Sequence, residues 1–190
     1  MRLVFLLAAA LAFAGQDPAP IVVNGKELTA AESKQVRELG QKYHVRVMPG
    51  RYWYDRKSGL WGYEGNRAMG AILPGLNLGG ELSPRASNGK TGVFVNGREL
   101  HAADVQVVSQ CTVVNRGRYW MDAYGNGGYE GQPASWNLVQ LCRQNAPRVL
   151  GGTPGNRGWY GSVSGDGVMV GAVFSDGTGV TCGPDGGCVY

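Results

Sequence analysis

The sequence has little of what common catalytic and metal sites require. Only two of its 190 residues are histidines, His44 and His101, and they do not occupy equivalent places in the chain's internal repeat. No Cys-x-x-Cys spacing occurs and neither histidine lies near a cysteine pair, so no metal site is predicted. The segment from Gly161 to Gly165 has Val163 where a nucleophile elbow needs serine. We therefore predict no catalytic residues, no metal and no cofactor.

Long apolar runs are also scarce, because the only one covers Leu3 to Ala12. Arg2 precedes this run and a small residue, Ala14, ends it, which is the pattern of a secretion signal over residues 1–14. Gly15 follows where a lipoprotein would have cysteine. The expected localisation is therefore secreted or periplasmic, and no transmembrane segment is expected after the signal is removed.

Glycine is abundant, with 32 residues of 190 against a usual share of roughly 7%. Hydrophobic residues still make up 43% of the chain, which favours a folded, turn-rich β protein over disorder. The formal net charge of +4 is a weak indication of anionic partners, and no nucleic-acid motif accompanies it. An ordinary solvated surface explains the same charge.

Four cysteines in an exported chain favour two disulfides, for which three pairings exist. Cys182 and Cys188 lie on either side of a Gly-Pro-Asp-Gly-Gly turn that is tight enough to bring them together. Cys111 and Cys142 then remain to pair with each other. These two bonds are the predicted arrangement.

The chain contains a duplication. Three segments return in the same order: 22–32 as 94–104, 50–55 as 117–122, and 62–65 as 128–131. We call residues 21–80 the first copy and residues 93–144 the second copy. The other parts are a short linker at 15–20, linkers at 81–92 and 145–157, and a distinct tail at 158–190.

Each copy begins with β-favouring residues around Asn-Gly, which is a strong hairpin signal because both central residues need positive φ. A helix is predicted next, because Thr29 and Glu32 form a capping box in the first copy. His101 and Asp104 stand in the equivalent places of the second copy. Cys111 then falls on the inward stripe of the second helix.

A second hairpin in each copy carries the aromatic residues, and its register follows from the sequence. Pairing Tyr52 with Tyr63 sets Trp53 opposite Gly62, and the same register in the second copy needs a loop one residue shorter. Because side chains alternate along a strand, one face carries the tyrosine pair and is expected to be core. The other face carries the tryptophan together with an Arg/Glu ion pair.

The tail has Asp-Gly at 166, 176 and 185 with β-branched runs between them, which is typical of a small β-meander. The predicted fold class is therefore α+β: two duplicated β-hairpin/helix/β-hairpin repeats followed by a Gly-rich antiparallel β-meander tail.

The segment from Arg51 to Gly65, together with Val95 to Leu100, resembles a repeat of exported bacterial proteins of uncharacterised function. This resemblance implies no activity or site residues. A thinner likeness, limited to two aromatics, an aspartate and a following glycine, links the hairpins to choline-binding cell-wall repeats.

The candidate ligand-binding surface consists of the aromatic and charged residues on the tryptophan faces of the two hairpins. A flat indole beside hydrogen-bonding charges suits a sugar ring or a cation. The alternative is that each tryptophan fills the space over its glycine beneath another layer and the ion pair closes the rim. The candidates are Trp53, Trp120, Arg51, Arg118, Glu64 and Glu130.

These observations predict an exported, non-catalytic binding or structural module of the bacterial cell envelope or secretome. The predicted partners are cell-envelope glycans or another envelope protein, and the sequence gives no oligomeric state. One alternative is a secreted carbohydrate- or cell-wall-active enzyme with a cleft between the copies, lined by Asp55, Asp122 and Arg51 or Arg118. Another is a disulfide-stabilised secreted effector or inhibitor that uses the loop at 182–188.

Overall fold

The computed structural model describes residues 19–42 and 47–145, and the backbone of 171–173, 179–182 and 188–189. The predicted signal peptide at 1–14, His44 and the Asp-Gly turns of the tail lie outside the described residues. Within the described part of the chain, no helix has the length and apolar content needed to cross a bilayer.

The described residues form three helices and thirteen short strands. The helices are α1 (Ala30–Lys42), α2 (Ala102–Val108) and α3 (Leu138–Asn145). The strands of the first copy are β1 (Ile21–Val23), β2 (Lys26–Glu27), β3 (Gly50–Tyr54), β4 (Leu60–Tyr63) and β5 (Gly70–Ala71). Those of the second copy are β6 (Val93–Val95), β7 (Arg98–Glu99), β8 (Gly117–Met121), β9 (Asn126–Tyr129) and β10 (Trp136–Asn137). The tail contributes β11 (Gly171–Val173), β12 (Gly179–Cys182) and β13 (Cys188–Val189).

The two copies build sheets with the same strand order, so the predicted α+β class is confirmed. The second copy forms a sheet of order β10-β9-β8-β6-β7, and the first copy forms the equivalent order β5-β4-β3-β1-β2. In each sheet the first strand of the copy also runs parallel to the first strand of the aromatic hairpin, with the helix between them. This parallel pairing was not predicted.

The tail strands β11, β12 and β13 continue the first sheet beyond β5, and all three run antiparallel to their neighbours. The backbone register sets Cys182 opposite Cys188. The predicted bond between these two sulfurs lies outside the described side chains.

The register of both aromatic hairpins is confirmed. Tyr52 pairs with Tyr63 and Trp53 with Gly62, and the second copy repeats these pairs at equivalent positions. A Cβ on Gly62 would lie 2.7 Å from the Trp53 ring and 2.4 Å from the Arg67 carbonyl oxygen, so only glycine leaves room for the indole. The absence of a side chain at this position is therefore a packing requirement.

The helix starts and the first disulfide are also confirmed. The Thr29 hydroxyl accepts the Glu32 N–H, while the Glu32 carboxylate accepts the Thr29 N–H. His101 caps α2 by accepting the Ala103 N–H at Nδ1. Cys111 and Cys142 form a disulfide and are both 1% exposed, which ties the turn after α2 to α3. Cys111 faces inward as predicted, but it lies in that turn and not on the helix, which ends at Val108.

Helix α3 and strand β10 occupy a part of the second copy for which no element was predicted. Asn137 caps α3 by accepting the Gln140 N–H, and Leu138, Val139 and Cys142 form its buried stripe. An asparagine with apolar residues one, two and five positions after it indicates a helix start, so the sequence contained a pattern from which α3 could have been predicted.

Candidate functional site

Both faces of the first hairpin are covered. On the tyrosine face, Tyr54 is 3% exposed and Tyr52 packs against the same apolar cluster, so this face belongs to a core as predicted, although Tyr63 at its edge is 43% exposed. Trp53, on the opposite face, is 1% exposed because the second copy packs against it.

Trp53 is held in the core by both its ring and its nitrogen. Its Nε1 donates to the Asn66 carbonyl at 3.0 Å, and the guanidinium carbon of Arg98 lies 3.9 Å from the ring centroid. Arg98 belongs to the second copy. Burial thus removes Trp53 from the residues that a ligand reaches in this structure.

Trp120 is half-buried and has an equivalent arrangement with a cation from the other copy. Its Nε1 donates to the Gln132 carbonyl at 2.8 Å, and the Lys57 ammonium of the first copy lies 4.6 Å from its ring centroid. Each of these two tryptophans therefore has a cation from the opposite copy over its ring. These contacts between the copies were not predicted.

The two hairpin ion pairs form as expected and lie at the surface. Arg51 pairs with Glu64, and Arg118 pairs with Glu130, with every one of these side chains at least 43% exposed. The Arg118 hydrogen bond lowers the pKa of Glu130 below its usual range. These residues are accessible, but each already has a partner of opposite charge.

Asp55 and Asp122, the carboxylates predicted to line a cleft between the copies, accept hydrogen bonds from residues of their own turns. Asp55 is 4% exposed and accepts hydrogen bonds from the Lys57 N–H, Ser58 and Asn96. Asp122 accepts from the N–H groups of the residues at 124 and 126 and from an asparagine amide. Among the described residues, no group of three or more His, Cys, Asp or Glu side chains is arranged to hold a metal ion.

A buried ion pair at the junction of the copies was not predicted. Arg98 and Asp104 lie 3.2 Å apart with side chains only 2% and 0% exposed, and Asp104 also accepts the Ala68 N–H of the first copy. Arg98 also donates to Ser87. The duplication indicated this pair, because Lys26 and Glu32 at the equivalent positions of the first copy also carry opposite charges.

The second copy contains an apolar groove, which we call the second-copy groove. It has a volume of about 150 Å³ and lies between the sheet, α2, the loop at 112–115 and α3. Val113 at its rim is 83% exposed. Its walls are Leu60, Val93, Val95, Leu100, Val108, Thr112, Val113, Val114, Asn115, Tyr119, Met121, Trp136, Leu138 and Leu141.

The first copy has the same walls, but there they enclose a filled core. The residues equivalent to the groove walls form one apolar cluster: Ile21, Val23, Leu28, Val36, Val47, Tyr52, Tyr54 and Ile72. Three further members, Trp61, Leu76 and Leu78, complete this cluster. The second copy has Gly127 in place of Trp61 and Trp136 in place of Gly70, so its tryptophan stands on the neighbouring strand of the pair. It also has the smaller Met121 in place of Tyr54.

The connection that follows each sheet explains the rest of the difference. In the first copy it continues as the irregular segment 72–78, which turns at residues 74–75. This segment is held because the Tyr54 hydroxyl donates to the Leu73 carbonyl at 2.6 Å and accepts the Leu76 N–H at 3.2 Å. In the second copy the equivalent chain forms α3. The groove thus lies where Met121 replaces Tyr54 and where the chain takes the different path of α3. The aligned copies indicated only the first of these two differences.

The sequence matches two plant proteins over a small share of their length. It is 40% identical over 122 residues, 63% of this chain and 14% of the relative, to "Extra-large guanine nucleotide-binding protein 1" of Arabidopsis thaliana. It is 32% identical over 114 residues, 59% of this chain and 13% of the relative, to "Extra-large guanine nucleotide-binding protein 2" of the same plant. No family model matches, and no solved structure matches.

These relatives correct the predicted function. They are plant proteins named for guanine nucleotide binding, so the prediction of a bacterial envelope or secretome module is wrong. The predicted partners, cell-envelope glycans or another envelope protein, are wrong on the same finding. The secreted enzyme and the secreted effector shared that setting and are withdrawn with it.

The relatives' name does not by itself assign a nucleotide site to this chain. The nearest approach to a phosphate-binding loop is Gly89-Lys90-Thr91, where Pro84 stands in place of the first glycine. A strand follows this segment rather than a helix, and a Cβ on Gly89 would lie 2.3 Å from the Leu100 carbonyl oxygen. The loop is therefore packed against the protein and lacks the helix N-terminus on which a phosphate would be bound.

Proposed function

We propose that this chain is a polypeptide-docking module in which the second-copy groove receives apolar side chains of a partner protein. The observation that carries the proposal is the groove itself, an apolar depression with an 83% exposed valine at its rim. Apolar side chains left at a surface around a concave site are typical of protein interaction sites.

The small share of the plant relatives that the chain matches supports a module of this kind. The chain spans about 14% of the plant proteins that it matches, so the matched stretch is a small portion of a much larger protein. Among the described residues, Asp55 and Asp122 are bonded in turns, His101 caps a helix and Asp104 is in the buried ion pair. Docking needs none of them.

The proposal includes the finer architecture that the sequence predicts. Residues 21–80 and 93–144 are two β-hairpin/helix/β-hairpin repeats, and residues 158–190 form a glycine-rich β-meander. The shared strand order of the two sheets and the backbone pairing of β11, β12 and β13 support this division.

A displayed library of random peptides, selected on the purified full chain, tests the docking function. We expect apolar-bearing peptides that lose binding to the Val113→Asp variant, because a carboxylate at the rim disfavours an apolar ligand. Met48→Asp is the matched control, since Met48 is an exposed apolar residue of the first copy. The proposal fails if no peptide is enriched, or if enriched peptides bind wild type and Val113→Asp equally.

A further inference from the structure

We infer that the disulfide between Cys111 and Cys142 is a redox switch for the second-copy groove, and that a dithiol which reduces this bond also weakens docking. This inference rests on the proposed docking function and specifies the regulation of the same site. The position of the bond motivates it, because the bond joins two walls of the groove.

The disulfide connects the loop at 112–115 to helix α3. Cys111 directly precedes this loop, all four residues of which line the groove. Cys142 directly follows Leu141, which lines the groove from α3. The Cα atoms of the two cysteines are 4.4 Å apart, although 31 positions separate them in the chain. The bond therefore sets the distance between these two walls.

Helix α3 is held at its two ends by different means. At its start the Gly125 carbonyl accepts the Leu138 N–H at 2.8 Å, and Leu138 and Val139 are buried. At its end it is attached to Cys111 twice, by the disulfide and by a hydrogen bond of 2.7 Å from the Asn145 amide to the Cys111 carbonyl. A helix of eight residues has little stability of its own. Reduction therefore frees the last turn of α3, while its start stays in place.

The loop wall depends on the same bond because α2 ends before reaching it. Residues 112–115 adopt no helix or strand, and Val113 among them is 83% exposed. In the first copy, Leu39 stands at the position of Cys111 and lies inside the longer helix α1. Helical hydrogen bonds thus hold this part of the first copy, whereas the second copy holds it with a bond that a reductant can break.

The proposed step is thiol–disulfide exchange with a dithiol. One thiolate of the reductant attacks a sulfur of the Cys111–Cys142 bond and forms a mixed disulfide, which releases the other cysteine as a thiolate. The second thiol of the reductant then displaces the remaining cysteine. The cysteine pair gains two electrons and two protons and becomes two thiols, and the reductant becomes a disulfide.

Burial of the bond couples this exchange to docking. Cys111 and Cys142 are both 1% exposed, so a reductant reaches either sulfur only when α3 and the loop move apart. A ligand that contacts both walls holds them together and opposes reduction. By thermodynamic linkage, reduction weakens binding of that ligand by the same factor by which the ligand disfavours reduction.

Amide hydrogen exchange followed by mass spectrometry tests the structural step without a ligand. The protein is the full-chain Cys182→Ala, Cys188→Ala variant, which keeps Cys111 and Cys142 as its only cysteines. Reduction with dithiothreitol should speed exchange of residues 138–145 at least about tenfold, because the constraint of the disulfide is lost. Strands β8 and β9 should exchange as before. Unchanged exchange in α3, or an equal increase in β8 and β9, would overturn the inference.

The peptide selection proposed for the docking function tests the coupling. The most strongly enriched peptide, labelled with fluorescein, should bind the reduced Cys182→Ala, Cys188→Ala variant about tenfold more weakly than the oxidised one. The Cys111→Ala, Cys142→Ala variant is the matched control and should bind weakly with and without dithiothreitol. Equal binding by the oxidised and reduced forms would overturn the switch and leave the docking function standing. Failure to enrich any peptide would overturn both.

Discussion

The guanidinium of Arg98 lies over the indole of Trp53, with 3.9 Å between the guanidinium carbon and the ring centroid. The two residues come from different copies of the duplicated unit. Arg98 also pairs with the buried Asp104, so a single side chain links a ring of the first copy to a helix of the second. The copies therefore share one core, as the apolar cluster around Trp53, Leu60, Met121 and Leu138 also shows.

Removing Arg98 should be strongly destabilising. Arg98→Met leaves the Asp104 carboxylate buried without its countercharge, and breaking a buried pair in this way costs about 3–5 kcal/mol of unfolding free energy. Urea denaturation followed by circular dichroism measures the loss. The double variant with Asp104→Asn should recover much of it, because the amide oxygen still accepts the Ala68 N–H. Arg118→Met, at an exposed ion pair, is the control and should cost far less; equal losses in the two single variants would contradict the expectation.

Glycine at position 62 should be intolerant of even a methyl group. Gly62→Ala places its Cβ 2.4 Å from a backbone carbonyl oxygen and against the buried Trp53 ring, so we expect a loss of about 3 kcal/mol. Gly65→Ala is the comparison, since a Cβ there meets nothing within 4 Å and only the positive φ is strained, at about 1 kcal/mol. The measurement is the urea midpoint of each variant, and a Gly62→Ala variant no weaker than Gly65→Ala would show that the indole yields.

The disulfide between Cys111 and Cys142 should contribute about 2–4 kcal/mol to stability, because it closes a loop with a sequence separation of 31. The Cys111→Ala, Cys142→Ala double variant should therefore unfold at lower urea concentration than wild type. The Cys182→Ala, Cys188→Ala variant is a useful companion, because it tests the predicted tail disulfide separately. If the Cys111/Cys142 variant kept its midpoint, the loop would be held by packing alone.

The capping box of α1 should make stability fall on acidification. Hydrogen bonds from Thr29 lower the pKa of Glu32, so its ionised form stabilises the fold above the ordinary carboxyl pKa. That contribution is lost as pH drops through the lowered folded-state pKa. Carbon-detected NMR titration should show the Glu32 pKa rising in Thr29→Val and remaining low in Thr29→Ser, which keeps the hydroxyl. An unchanged pKa in Thr29→Val would assign the shift to another neighbour.

The duplication allowed much of the local structure to be predicted, because two different sequences had to satisfy one pattern. It determined the pairing of Tyr52 with Tyr63, the need for glycine at 62 and the inward position of Cys111, all of which the structure contains. Alternation along a strand states which side chains share a face but not which face is covered. The tyrosine face was therefore assigned to the core, and Tyr52 and Tyr54 do pack in one, but contact with the second copy buries the tryptophan face as well.

The second-copy groove was missed for a related reason. The groove lies where the copies differ, and one difference at an aligned position, Tyr54 against the smaller Met121, was visible in the sequence. The exchange of Trp61 and Gly70 for Gly127 and Trp136 keeps one tryptophan on the paired strands, so side-chain volumes alone would not have indicated the groove. The path of the chain into α3 depends on tertiary packing and was not determined by the alignment.

The contacts between the copies also bear on the order in which the two copies fold. Asn24 and Glu32 of the first copy bind the chain's own residues 79–80, whereas their counterparts Asn96 and Asp104 bind Asp55 and Ala68 of the first copy. The ribosome delivers the first copy before the second, and N-terminal units generally fold first during synthesis. The earlier unit can thus close on itself and then serve as the template on which the later one is assembled.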